Sequence, residues 1–164
     1  MLQGQECFCA RCGAMLERKV VYGHERPCCP RCGYVVYYNP KLVAVGILVN
    51  DGKVLLVQRG MNPGKGLWGM PGGYVDMGEV VEEAVAREVW EETGLRTQAR
   101  RLVGLHSEAG QPQVLAVYEM ETVSGEVAPG EEVMNAAFFP LDGLPPMAFP
   151  RDLKLLTPYI QRRQ

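Results

Sequence analysis

All six cysteines of this 164-residue chain fall between Cys7 and Cys32, and none follows. Four of them form Cys9-Ala10-Arg11-Cys12-Gly13 and Cys29-Pro30-Arg31-Cys32-Gly33, two C-x2-C-G turns with sixteen residues between the pairs. This is a zinc-site spacing. Each turn aims two thiolates at one point, and its glycine lets backbone N–H groups approach the sulfurs. Two such knuckles close a tetrahedron, so Cys9, Cys12, Cys29 and Cys32 are the expected Zn2+ ligands. A segment of ~35 residues has too little apolar surface to fold unaided, and a bound metal supplies the missing stability. Cys7 and Cys28 stand outside the knuckles. Disulfide pairing is the competing reading, disfavoured because Met1 to Glu6 lacks the basic and apolar parts of a secretory leader. A redox pair is disfavoured too, because redox C-x2-C motifs come singly on a βα unit. The expected organisation is a zinc ribbon over residues 1–36 and one ordinary domain over residues 37–164.

The remainder reads as a globular domain. Apolar residues make up 47% of the chain, enough for a core, and the net charge of −2 gives no general attraction to polyanions. Nucleic acid is therefore not an expected partner. The apolar run Leu42 to Val49 is far shorter than the ~20 residues of a membrane-crossing helix. A cytoplasmic protein with reduced thiols is expected.

Lys41 to Val49 is rich in β-branched residues and reads as a buried strand, turned at Asn50-Asp51-Gly52-Lys53 into a second strand over Val54 to Gln58. A Gly- and Pro-rich stretch from Gly60 to Gly73 leads to a helix over about Glu79 to Thr93, stopped by Gly94. Further strands are predicted at Arg101 to His106, Gln113 to Glu121 and Ala136 to Pro140, and a final helix over Arg151 to Ile160 that Pro158 can shorten. Strands, helix, strands, helix implies an α/β (α+β) fold, a mixed sheet flanked by helices.

The chemistry is most visible in Arg87-Glu88-Val89-Trp90-Glu91-Glu92-Thr93-Gly94-Leu95. At ~100° per residue, Glu88 and Glu92 share the side of the helix that carries Val81 and Val85, with Glu91 beside Ala84 at its edge. Carboxylates on an inward face, in a last turn where the helix dipole disfavours negative charge, raise one another's pKa values. A hard divalent cation removes the conflict. Arg87 is expected to neutralise only one of them. A solvated helix with a few ion pairs to Arg87 is the competing reading.

Gly73, five residues, Glu79, seven residues and then Arg87 to Leu95 resemble the signature of the Nudix hydrolases at every fixed position. The cysteine turns together with Tyr38-Asn39-Pro40-Lys41 resemble the zinc-ribbon branch of that family, which contains NADH pyrophosphatases and FAD and ADP-ribose pyrophosphatases. Gly66-Leu67-Trp68-Gly69-Met70-Pro71-Gly72-Gly73-Tyr74 and Ala128-Pro129-Gly130-Glu131-Glu132 look most like the FAD/ADP-ribose group. Leu105 to Pro112 departs from the array that NADH pyrophosphatases carry after the helix.

The resemblance implies a Nudix α/β/α sandwich and Mg2+- or Mn2+-dependent cleavage of a nucleoside diphosphate linked to another group, ADP-ribose or FAD first and NADH or an NAD cap second. A nucleotide sensor without hydrolysis is the alternative from another class, weighed against by the complete set of box glutamates. By resemblance Glu88 and Glu92 are the principal metal ligands, helped by the Gly73 carbonyl. Glu91 and Glu132 are further ligands or the water-orienting base, with Glu131 as substitute, and Arg87 supports them. Arg59 is a phosphate donor. Trp68 and Tyr74, and behind them Tyr118 and Phe139, are candidates for stacking on a base. His24 and His106 stand beside no nucleophile, so covalent catalysis has no support. Relatives pair, which makes a homodimer the expected assembly.

Overall fold

The computed structural model describes residues 6–161. It forms two compact units, one that ends at Pro40 and takes in Ala109–Pro112, and one that comprises Lys41–Glu108 and the chain from Gln113 onward.

In the first unit both knuckles have the same backbone construction. Gly13 and Gly33 take left-handed φ angles of 71° and 72°, and their N–H groups donate to the carbonyls of Cys9 (2.9 Å) and Cys29 (3.0 Å). Between the knuckles lies an antiparallel hairpin, β1 (Glu17–Val21) and β2 (His24–Cys28). It turns through Tyr22 and Gly23, both at positive φ. The sequence reading did not anticipate this hairpin, because a tyrosine rarely occupies such a turn.

The second unit is built around β3 (Lys41–Asn50) and β4 (Lys53–Arg59). Asp51 and Gly52, at φ 47° and 69°, make the tight turn predicted there. The two strands pair only beside the turn, at Val49 with Val54 and Asn50 with Lys53, and then part. Two short strands follow the divergence: β5 (Trp68–Gly69) runs against β4, and β6 (Gly72–Tyr74) runs against β3. β7 (Arg96–Ser107), β8 (Gln113–Ser124) and β9 (Val133–Pro140) complete the sheet. The path runs β5-β4-β3-β8-β7, with β6 on β3 and β9 on β4, and β3 lies parallel to β8. The sheet is mixed, as expected.

Burial on both faces explains the unbroken apolar run in β3. Ala44 and Leu48 belong to a core with Val85 and Val89 of α1 (Val81–Thr93). Val45 and Ile47 point the other way, into a core with Leu156 of α2 (Pro150–Gln161). Helices on opposite faces of a mixed sheet give the α/β/α arrangement. Gly46 sits where α1 crosses β3; a Cβ there would stand 2.9 Å from a Val89 methyl.

Helix α1 starts at Val81, two residues later than predicted. Glu79 is occupied in the preceding turn, where its carboxylate accepts the Asp76 N–H at 3.0 Å. Gly94 ends the helix in a left-handed conformation, its N–H donating to the Trp90 carbonyl. β7 begins at Arg96 rather than Arg101. Helix α2 runs through Pro158 to Gln161, where an earlier end was allowed for. Tyr159 and Ile160 pack on the core, and that contact outweighs one hydrogen bond lost in the last turn. No helix among the described residues is long and apolar enough to cross a membrane.

Candidate active site

The split between β3 and β4 positions the acids. Gly46 N–H donates to the Pro71 carbonyl at 2.9 Å, and β6 pairs Ala44 with Gly73 and Val45 with Gly72, so this glycine pair is pinned to β3. Glu92 meets it from α1: its Oε2 accepts the Gly72 N–H at 2.9 Å. A Cβ on Gly73 would collide with the Glu88 carboxylate. Glycine is required because an acid occupies the space a side chain would fill.

Arg87 is the hub of the cluster. Its Nε and Nη2 donate to Glu79 at 2.8 and 3.0 Å, and its Nη1 donates to Glu88 (2.8 Å) and Glu91 (3.0 Å). Nη2 also donates to the Tyr74 carbonyl at 3.2 Å. Its single positive charge can balance only one of these carboxylates, while its hydrogen bonds order three. A planar guanidinium with five donors serves three acids at once.

What Arg87 does not reach is Glu92. Burial pushes this carboxyl up to about 8, against the Gly72 hydrogen bond, and the charges of Glu88 and Glu132 add to the rise. Burial also raises Glu88, against Arg87, with Glu91 and Glu132 contributing. Glu79 moves the opposite way, held low by its hydrogen bonds from Arg87. Glu92 thus lacks the hydrogen-bonded cation that Glu79, Glu88 and Glu91 have in Arg87. A hard cation against Glu88, Glu92 and Gly73 fits this donor set.

Glu132 is brought to the same place by backbone contacts. The Ala128 and Gly130 N–H groups donate to the carbonyls of Thr93 (2.8 Å) and Glu92 (3.1 Å), which closes the end of α1. Gly60, just past β4, lies so close to the Glu132 carbonyl that a Cβ would overlap it, and Gly130 stands likewise against the Glu91 carbonyl. Neither glycine was singled out from the sequence. A cavity of about 560 Å3 opens beside this loop, lined by Trp90, Glu91, Pro129, Glu131 and Glu132 among others.

The remaining sequence candidates separate. Arg59 donates from Nε to the Pro63 carbonyl at 2.7 Å, and its charge is felt at Glu92. Tyr74 is half-exposed, with the Lys41 ammonium 4.9 Å from its ring centroid. Trp68 and Phe139 pack edge-to-face at 4.6 Å within the α2-side core. Tyr118 is buried in the α1-side core and donates its hydroxyl to Glu82 at 3.0 Å, so it is corrected from stacking candidate to core residue. His106 faces Glu108 at 3.3 Å.

The four knuckle sulfurs all lie within 4.8 Å of one another. A Zn2+ tetrahedron with ~2.3 Å bonds has edges of about 3.8 Å, so the cluster fits it. Its sulfurs share protons unequally: the Cys32 N–H holds Cys29 down at about 6. Cys32 is pushed up to about 12 by burial and the other three sulfurs, against the Tyr34 N–H. Such asymmetry is what a cation would remove. Among the described residues, no other three His, Cys, Asp or Glu side chains converge in this way. The buried Cys28 turns to the Arg26 carbonyl instead.

Comparison with known proteins agrees with this geometry. The NUDIX domain model matches residues 40–158. The chain belongs to the NUDIX family. It is a Nudix hydrolase similar to an ADP-ribose pyrophosphatase of Methanocaldococcus jannaschii, 37% identical over 78% of this chain and 78% of that one. An NAD-capped RNA hydrolase of Pseudomonas aeruginosa is 33% identical over 95% of this chain, which spans 56% of that relative's length. Among solved structures, a NUDIX hydrolase from Nitrosomonas europaea superposes with a TM-score of 0.88 at 29% identity, covering 95% of this chain and 91% of that one. Nudix enzymes depend on divalent metals, and Glu79, Glu88, Glu91 and Glu92 lie within the stretch that resembles the Nudix signature, with Glu132 outside it.

Proposed function

We propose that this Nudix hydrolase cleaves the pyrophosphate bridge of ADP-ribose or FAD into two monophosphates. The observation that carries the reading is the pairing of Glu88 against Gly73 with Glu92 on the Gly72 N–H, two inward acids with no cation for Glu92. Glu88, Glu92 and the Gly73 carbonyl hold Mg2+ or Mn2+, with Glu91 and Glu132 as further ligands or as the groups that orient the attacking water. When bound, such ions neutralise phosphate oxygens and lower the pKa of a coordinated water. Arg87 keeps the acids in place, and Arg59 supplies a guanidinium to a phosphate. Tyr74, half-exposed, is the better stacking surface of the two named; Trp68 is engaged with Phe139.

Support for ADP-ribose comes from the Methanocaldococcus relative and from the loop residues Ala128 to Glu132. A second reading, an NAD-cap or NADH pyrophosphatase, is favoured by the relative whose match covers 95% of this chain. Incubating the protein with Mg2+ and equal amounts of FAD, ADP-ribose and NADH separates the two. AMP released chiefly from ADP-ribose or FAD supports the first; dominant NADH cleavage reverses the order. The ribbon, residues 1–36, is proposed to hold one structural Zn2+ and to brace a homodimer in a reducing cytoplasm.

A further inference from the structure

Arg59 has a companion that the family signature does not include. The Trp68 N–H donates to the Pro146 carbonyl at 3.0 Å, and the Ala148 N–H donates to the Trp68 carbonyl at 2.7 Å. This lays the segment before α2 against the loop that follows β4. Phe149 thereby meets two arginines: the Arg59 guanidinium carbon is 5.0 Å from its ring centroid and that of Arg151 is 4.4 Å. The two cations therefore stand within roughly 10 Å of each other, about the Debye length at 0.1 M salt.

Neither guanidinium is used up. Arg59 spends only Nε, on the Pro63 carbonyl. Arg151 makes no hydrogen bond among the described residues, and its buried Nε is left with an ion pair alone. The acid beside Arg151 is Asp152, 3.8 Å from that Nε and itself engaged by the Met70 N–H, while Arg59 is also felt at Glu92. A single carboxyl whose burial lifts it to about 6 cannot balance two guanidiniums at neutral pH. Two half-buried cations on one ring, with most of their donors idle, are the counterpart of the uncompensated acids on α1. An oxyanion relieves them as a cation relieves the acids.

We propose that Arg151 and Arg59, both packed on the Phe149 ring, form a phosphate subsite that grips one phosphate of the substrate. The subsite rests on the pyrophosphatase reading for its substrate, but its affinity for phosphate does not. Arg151 is thus a substrate-binding residue that works with Arg59: it adds a second guanidinium to the hold on that phosphate.

The test has two arms, both on the full chain. In the first, inorganic phosphate is titrated by calorimetry without added Mg2+ or Mn2+; Arg151→Gln is expected to weaken binding at least ten-fold. In the second, ADP-ribose hydrolysis with Mg2+ is expected to show KM raised about ten-fold in Arg151→Gln with kcat within about three-fold, the mark of lost uniform binding. Should Arg151→Gln fail to fold, the Arg151 Nε–H resonance of the unaltered protein is followed during the phosphate titration, and a saturable shift is expected. Phosphate binding that is equally tight in Arg151→Gln, or an Arg151 resonance that does not move, overturns the subsite. Weakened phosphate binding with an unchanged KM overturns its assignment to substrate. Absence of any hydrolysis by the unaltered protein would count against the pyrophosphatase reading alone, since the phosphate arm is read without turnover.

Discussion

The chain gathers like charges twice, and the two gatherings are managed in opposite ways. In the ribbon four sulfurs converge within 4.8 Å, and their partners among the described residues are one another and backbone N–H groups, with no charged side chain. At α1 and the turn before it the acids are held by the protein's own groups, Glu79, Glu88 and Glu91 by Arg87 and Glu92 by the Gly72 N–H. The difference teaches what each is for. A closed set of soft donors has nothing to offer a substrate and everything to offer a fold. An acid set already ordered by an arginine and an amide keeps its shape as substrates come and go, and so it is suited to turnover.

The comparison can be broken first at Glu92. Glu92→Gln keeps the size of the side chain and its acceptance of the Gly72 N–H but removes the charge. Turnover is expected to fall by about three orders of magnitude while the thermal midpoint is kept or raised, since a buried acid has been neutralised. Parallel rate and melting measurements check this; an unchanged rate would remove the residue from the chemistry. The ribbon should behave in the reverse sense. Cys32→Ser is expected to abolish stoichiometric zinc and to release amide protection across the β1–β2 hairpin, with turnover reduced far less than in Glu92→Gln. Zinc analysis and hydrogen exchange read it.

How far this contrast was visible in the amino-acid sequence depends on where the signal lay. The β3–β4 turn was legible because Asp51-Gly52 can take positive φ, and the end of α1 because Gly94 can. The β1–β2 turn was not, because Tyr22 occupies a conformation its residue type rarely adopts. The first part of β7 escaped notice because Arg96, Gln98, Arg100 and Arg101 face solvent and leave only weak alternation. Zinc spacing and box glutamates are local patterns and could be read at once. The reach of Arg87 to Glu79, eight residues away and outside the helix, could not be. Nor could the meeting of Arg59 with Phe149 and Arg151, which depends on the Trp68 bridge joining distant segments. Tyr118 was misplaced because an aromatic in a strand gives no sign of which face it takes; the parallel pairing with β3 sends it into the core.

A smaller expected effect concerns Arg87. Arg87→Gln leaves Glu79 and Glu88 without their guanidinium, and a loss of about 1–3 kcal/mol in stability is expected from denaturant unfolding. The smallest belongs to Asp152, a buried acid outside both the cysteine cluster and the α1 acids, where burial outweighs the Arg151 charge and the Met70 N–H. Its carboxyl is raised from 3.8 to about 6, so the folded state holds its proton more tightly than the unfolded one. Its contribution is present below pH ~4 and is lost as pH rises through about 6. Asp152→Asn should flatten the fall in thermal midpoint over that window, and an unaltered slope would contradict the assignment.

The central claim is that the acids at the end of α1 are held ready for a divalent cation. Crystals soaked in Mn2+ test it most directly, because the anomalous signal locates the ion without reference to the protein. The account predicts a peak bounded by Glu88, Glu92 and the Gly73 carbonyl. A map with Glu88 still on Arg87, Glu92 still on the Gly72 N–H and no ion between them would contradict it.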